Sequence, residues 1–97
     1  MYARLTMLKA APSNRSALER ATQDQLLPLF RAQPGFRSLM VLADDASGEY
    51  AGLSFWESRE AAEAASRVVN PVVREAIAGL AQGTLTPHLF DVYEPGA

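Results

Sequence analysis

Residues 34–58 read PGFRSLMVLADDASGEYAGLSFWES. Two apolar runs, 36–43 and 50–56, flank the turn-forming cluster Asp44-Asp45-Ala46-Ser47-Gly48. Gly48 can take φ > 0, and the Asp and Ser side chains can bond neighbouring backbone groups. So short a loop predicts a β-hairpin of two antiparallel strands. Neither run alternates cleanly. One face of the first carries Phe36, Ser38, Met40 and Leu42, the other Arg37, Leu39, Val41 and Ala43; the second sets Tyr50, Gly52, Ser54 and Trp56 against Ala51, Leu53 and Phe55. An antiparallel sheet with one wet face shows a polar row. Here both rows are mostly apolar, so both faces of the sheet are expected to be covered. Helices of the same chain can cover only one, and a partner is the natural cover for the other.

Outward from the hairpin, residues 2–10 read as a first strand, with Ala3, Leu5 and Met7 on one face and Tyr2, Arg4, Thr6 and Leu8 on the other. An Arg4 facing an interior needs a partner, because an isolated buried charge is costly. Asp91 is one candidate, and the alternative is that Arg4 reaches solvent past the sheet end. Ser16-Ala17-Leu18-Glu19 matches the capping box and predicts a helix start at Ser16. Leu18, Ala21, Thr22, Gln25, Leu26, Leu29 and Phe30 follow at helical spacing, and Pro28 predicts a kink or an irregular last turn. Pro34-Gly35 ends this helix. Ser58 is the expected N-cap of a second helix, with Ala61, Ala62, Ala65, Val68 and Val69 on its apolar stripe. Asn70-Pro71 is expected to interrupt it, and Val72, Val73, Ala76, Ile77 and Leu80 form the stripe of a second segment. Residues 84–93 read as a last strand, where Pro87 belongs at an edge or a strand start.

The order β-α-β-β-α-β predicts an α+β, ferredoxin-like fold: one antiparallel sheet with both helices on one face and an apolar second face. Soluble monomers rarely expose such a patch, so a homodimer packed through the apolar sheet faces is expected. The chain's 97 residues suit a single domain, 1–97. With no cysteine there are no disulfides or thiolate metal sites, and a formal charge of -2 with both signs interspersed offers no basic face for nucleic acid. No apolar run approaches the ~18 residues of a membrane span, and strand-like pattern begins at once, so no membrane association and a cytoplasmic location are expected. No phosphate-binding loop or nucleophile elbow is present.

Gln33-Pro34-Gly35-Phe36, the hairpin, Phe55-Trp56-Glu57-Ser58-Arg59-Glu60-Ala61 and the closing Val92-Tyr93-Glu94-Pro95 together resemble the antibiotic biosynthesis monooxygenase-like family of the dimeric α+β barrel group. The resemblance spans essentially the whole chain. It implies a dimeric barrel and a cofactor-independent monooxygenase acting on an aromatic phenol or quinol, with no metal. The alternative is a non-catalytic dimeric protein of the same fold that binds a small hydrophobic ligand. Trp56 matches the family tryptophan that borders the substrate pocket. Gly52 and Ser54 stand where those oxygenases carry an asparagine. Relatives with a histidine in or just after the second helix have no counterpart here; Asn70 is the nearest polar substitute, and a haem role is disfavoured. Arg74 lies near an arginine of some oxygenases. The catalytic candidates are therefore Trp56, Asn70 and Arg74, and the substrate-binding candidates Trp56, Tyr50, Ser54 and His88.

For Trp56 a plain core role stands beside the functional one, and for the sole histidine, His88, and for Tyr2, Tyr50 and Tyr93, packing or surface roles do. Finally, Ala61, Ala62, Ala64 and Ala65 carry little bulk, and Gly52 and Ser54 leave room beside the indole. A cavity between sheet and second helix, with Trp56 on its wall, is expected.

Overall fold

The computed structural model describes residues 1–96 and, at Thr84, the backbone alone. Strand β1 (Tyr2–Lys9) leads through a 3-10 turn (Pro12–Asn14) into α1 (Arg15–Ala21), a π-helical turn (Thr22–Leu26) and α2 (Leu27–Arg31). Strands β2 (Phe36–Asp44) and β3 (Glu49–Trp56) follow, then α3 (Arg59–Ile77) and β4 (Gln82–Asp91). The four strands form one sheet in the order β2-β3-β1-β4, and every neighbouring pair is antiparallel. This is the expected ferredoxin-like α+β architecture, and β4, with Pro87, lies at an edge as predicted.

The hairpin turn closes through Gly48 N–H donating to Asp44 O at 3.0 Å, with Gly48 at φ 73°. Asp44 Oδ1 also accepts from Ala46 N–H at 3.1 Å, the turn chemistry expected of an aspartate there. Register places Trp56, Ser54, Gly52 and Tyr50 of β3 beside Tyr2, Arg4, Thr6 and Leu8 of β1 on the helix-covered face. On β2 one residue is extra. Phe36 pairs with Trp56 but Ser38 pairs with Phe55, so Arg37 forms a bulge. The bulge separates Phe36 from Ser38, Met40 and Leu42, which the sequence pattern had grouped on one face: Phe36 packs inside and the other three lie outside.

The first helix departs from expectation at both ends. It begins at Arg15 behind the 3-10 turn, and no side chain caps it; Ser16 lies within it and is not the N-cap. Pro28 has no N–H to give to the turn before it. The chain absorbs this upstream, in the π turn, whose extra residue leaves Gln25 exposed while Leu26 and Phe30 stay buried. The second helix is one unbroken element of 19 residues with Pro71 inside it, and Asn70-Pro71 does not divide it. Pro71 is exposed, so the backbone it leaves unpaired is on the water side. Ser58 caps this helix as predicted, its Oγ accepting from Ala61 N–H at 3.1 Å.

The core lies between sheet and helices and is built on Trp56, Phe30, Tyr50, Leu18, Leu26 and the α3 residues Ala62, Ala65, Val69, Val73 and Ile77. The small residues at the start of α3 bring it close to the chain rather than leaving space. A Cβ on Gly35 would stand 2.6 Å from the Ala61 Cβ, and Gly35 has φ 81°, so only glycine fits here. Across the sheet, the open face is apolar along its middle: Ala3, Leu5 and Met7 beside Ala51, Leu53 and Phe55. Met7, Met40, Leu42 and Phe90 on this face are each about half exposed.

Candidate functional site

The space between sheet and helices opens where the short residues end. A cavity of about 60 Å³ is lined by Arg4, Thr6 and Leu8 of β1, Leu39 and Val41 of β2, and Tyr50, Ala51 and Gly52 of β3. Its roof is Leu18, Thr22, Leu26 and Phe30 from the first helical stretch and Val73 and Ile77 from the second half of α3. Gly52 makes the room. A Cβ built on it meets no atom within 4 Å. The π turn supplies Thr22 and Leu26 to the roof, so the irregularity forced by Pro28 sits directly over the cavity. Thr22, Leu39 and Val41 also line a surface groove of about 230 Å³, which places the mouth at the β2 edge.

Two polar residues break the apolar wall. Arg4 is 3% exposed and Thr6 4% exposed, side by side on the inner face of β1. Arg4 Nη2 donates to Asn70 Oδ1, and its guanidinium lies 5.8 Å over the Phe30 ring. Arg4 Nε and Thr6 Oγ1 are buried with no hydrogen-bond partner among the described residues. No carboxylate of the described residues lies within ion-pair distance of Arg4. Burial pushes the guanidinium down to about 10, which still leaves it charged at neutral pH. Both expectations for Arg4, a pair with Asp91 or escape to solvent, are thus replaced. Asp91 pairs with Tyr2 at the strand end and is exposed, whereas α3 passes over Arg4 and offers Asn70.

The other candidates fall in three places. Tyr50 is on the cavity wall, but its hydroxyl donates to Asp45 Oδ1 at 3.0 Å, and Asp45 in turn pairs with Arg15 at 2.8 Å. Desolvation, then the Asp45 contact, raises the Tyr50 hydroxyl's proton affinity. Asn70 and Arg74 border a second, narrow cleft of about 10 Å³ on the other side of Arg4, Thr6 and Val73, which are common to both spaces. His88 is on the open face of the sheet, paired with Leu5, and is exposed.

Trp56 is fully buried and is not among the cavity's lining residues. Phe36 meets it edge-on at 5.5 Å and Phe30 tilts against it at 6.1 Å, while its Nε1–H donates to Ser54 Oγ at 2.9 Å. The expected cavity beside Trp56 is filled by these groups, because the α3 alanines let helix and sheet close there. Phe30 touches both the indole and the cavity. Thr6 was missed by sequence reasoning, although its position two residues after Arg4, opposite Gly52, is the signal that could have found it.

No group of three or more His, Cys, Asp or Glu side chains converges among the described residues. None of the described helices is long and apolar enough to cross a membrane.

The family model described as antibiotic biosynthesis monooxygenase matches residues 1–70, from β1 through Asn70 and short of Arg74 and His88. No curated protein matches the chain. Among solved structures, the chain is similar to a monooxygenase from the gene ActVA-Orf6 of Streptomyces coelicolor in complex with nanaomycin D: TM-score 0.79, 17% identity, 96% of this chain and 88% of that one. It is also similar to SnoaB, a cofactor-independent oxygenase from Streptomyces nogalater, with TM-score 0.68 and 20% identity over 98% and 95% of the two chains. Rv0793 from Mycobacterium tuberculosis aligns with TM-score 0.72 and 20% identity over 99% and 98%. At these identities the likeness is one of fold.

Proposed function

Because the chain belongs to the antibiotic biosynthesis monooxygenase family, we propose that it is a small cofactor-independent monooxygenase acting on an aromatic phenol or quinol held between sheet and helices. The observation that carries this reading is the cavity over Gly52, apolar on nearly every side and open at the β2 edge. Such a site suits an aromatic ring. In the reaction the ring, as its anion, reduces O₂ directly: one oxygen atom enters a ring carbon, the other leaves as water, and the substrate supplies the two electrons and two protons. The protein's part is to seat the ring, exclude bulk water and stabilise the negative charge.

At about 60 Å³ the cavity is smaller than the ~150 Å³ apolar cavity known to admit benzene. A substrate therefore lies partly in the mouth between Val41 and Thr22, and one ring fits better than a polycycle. Oxygen uptake on a panel of hydroquinones and naphthols, with no added metal or flavin, tests the reading. At least one substrate should be consumed, and Gly52→Leu, which fills the cavity, should abolish the uptake. Binding without oxygen consumption by any of them would leave the non-catalytic ligand-binding alternative.

The same reading includes a homodimer formed by packing two open sheet faces. Support comes from the half-exposed Met7, Met40, Leu42 and Phe90 on that face, a patch of the kind that marks interfaces.

A further inference from the structure

Resting on the cavity as the binding site, we infer that it is a receptor for an aromatic oxyanion: a phenolate oxygen accepts hydrogen bonds from Arg4 Nε–H and Thr6 Oγ–H while the ring lies over Gly52. Both donors are buried and have no partner among the described residues, on neighbouring inward positions of one strand. A buried polar group without a partner is costly and rare, and two adjoining ones beside a cavity point to a missing acceptor.

Charge specifies that acceptor. Arg4 has a neutral amide, Asn70, where a buried guanidinium would ordinarily have a carboxylate. The cavity lining contains no Asp, Glu or His; its other titratable group is Tyr50, whose hydroxyl is committed to Asp45. Across Arg4 the narrow cleft adds Arg74 and again no acid. Glu19 stands only in the outer groove. Inside the cavity a ligand thus meets positive charge, and the one acid near its path, Glu19, stays at the mouth. With no base on the wall, the ligand's proton is left to solvent at the mouth. The ionised form is the one bound.

The probe is 4-nitrophenol, which ionises near neutral pH, is yellow only as the anion and is too electron-poor to reduce O₂. Added to the whole protein at a pH below the probe's own pKa, it should turn yellow saturably, its bound pKa falling by about one unit, equivalent to about tenfold tighter binding of the anion. Nitrobenzene, the same ring without the oxygen, should bind more weakly than the anion. Arg4→Met should remove the colour change while sparing nitrobenzene binding, and Thr6→Val should weaken it severalfold. If Arg4→Met does not fold, the Thr6→Val variant and the wild-type comparison of the two probes still decide. Equal affinity for anion and neutral ring, or an undiminished anion response in Arg4→Met, would overturn the inference. Since the probe is not oxidised, its binding stands or falls apart from oxygen uptake, whose failure would sink the oxygenase reading alone.

Discussion

Arg4 is buried against Phe30 with Asn70 as its hydrogen-bonded partner and no carboxylate of the described residues beside it, and its lowered proton affinity records the cost of that burial. A long apolar side chain would fill the same volume with no charge to desolvate. Arg4→Met is therefore expected to leave stability unchanged or raise it by about 1–2 kcal/mol, as when buried charges give way to packed hydrophobes. Asn70→Ala acts in the opposite sense. It strips the guanidinium of an acceptor, and should cost about 1–3 kcal/mol. Urea titrations of both variants check the pair of signs; a large loss in Arg4→Met would make Arg4 a structural residue. Tyr50 differs in kind. Its hydroxyl helps to tie the hairpin turn to α1 through Asp45 and Arg15, which accounts for it without a ligand.

The helices differ in how they begin, and the difference is measurable. Ser58 gives α3 a side-chain acceptor at its free N-terminus, so Ser58→Ala should cost about 1 kcal/mol. Ser16 carries the capping-box pattern but lies past the start of α1, so Ser16→Ala should change stability by less than about 0.5 kcal/mol. Denaturant midpoints for the two variants would separate them, and equal losses would contradict the assigned helix starts. The displaced start has a local cause: Pro12 opens a 3-10 turn that carries the chain straight into the helix. Asn14, at the junction, spends its side-chain amide on Leu80 O instead, at 3.2 Å, pinning the start of α1 to the turn that follows α3. Prolines thus have unequal effects in this chain. Pro28 is answered by a π turn, whereas Pro71, on the wet side of α3, leaves the helix continuous.

For the molecule as a whole, the distribution of polarity across the sheet is inverted. The covered face holds Arg4, Thr6 and Ser54 at its centre, and the open face holds Ala3, Leu5, Leu53 and Phe55. A dimer packed through the open faces would bury a core-like surface exceeding the ~1,600 Å² of a standard complex. Light scattering behind a sizing column should then return twice the 10.5 kDa chain mass. Leu53→Lys places a charge at the middle of that face, opposite Leu5, and should shift the mass toward one chain. A wild-type monomer at micromolar concentration would exclude this interface.

Local rules were enough for the strands, the hairpin turn, the cap at Ser58 and the β-α-β-β-α-β order, because each follows from residues a few positions apart. The doubly apolar hairpin likewise carried in its own pattern an apolar open face. The sequence also marked Arg4 as a charge in want of a partner. What supplied that partner was the path of α3, which carries Asn70 over β1 from 66 positions away. The cavity was legible only as a deficit of side-chain volume. Its location depended on how closely α3 could approach, and that was decided by Gly35 against Ala61 and by Phe30 and Phe36 filling the space around Trp56. The room shifted to the far half of the helix, over Gly52. Spacing along a chain determines which faces can be buried; which groups meet across them is decided by packing between elements distant in sequence.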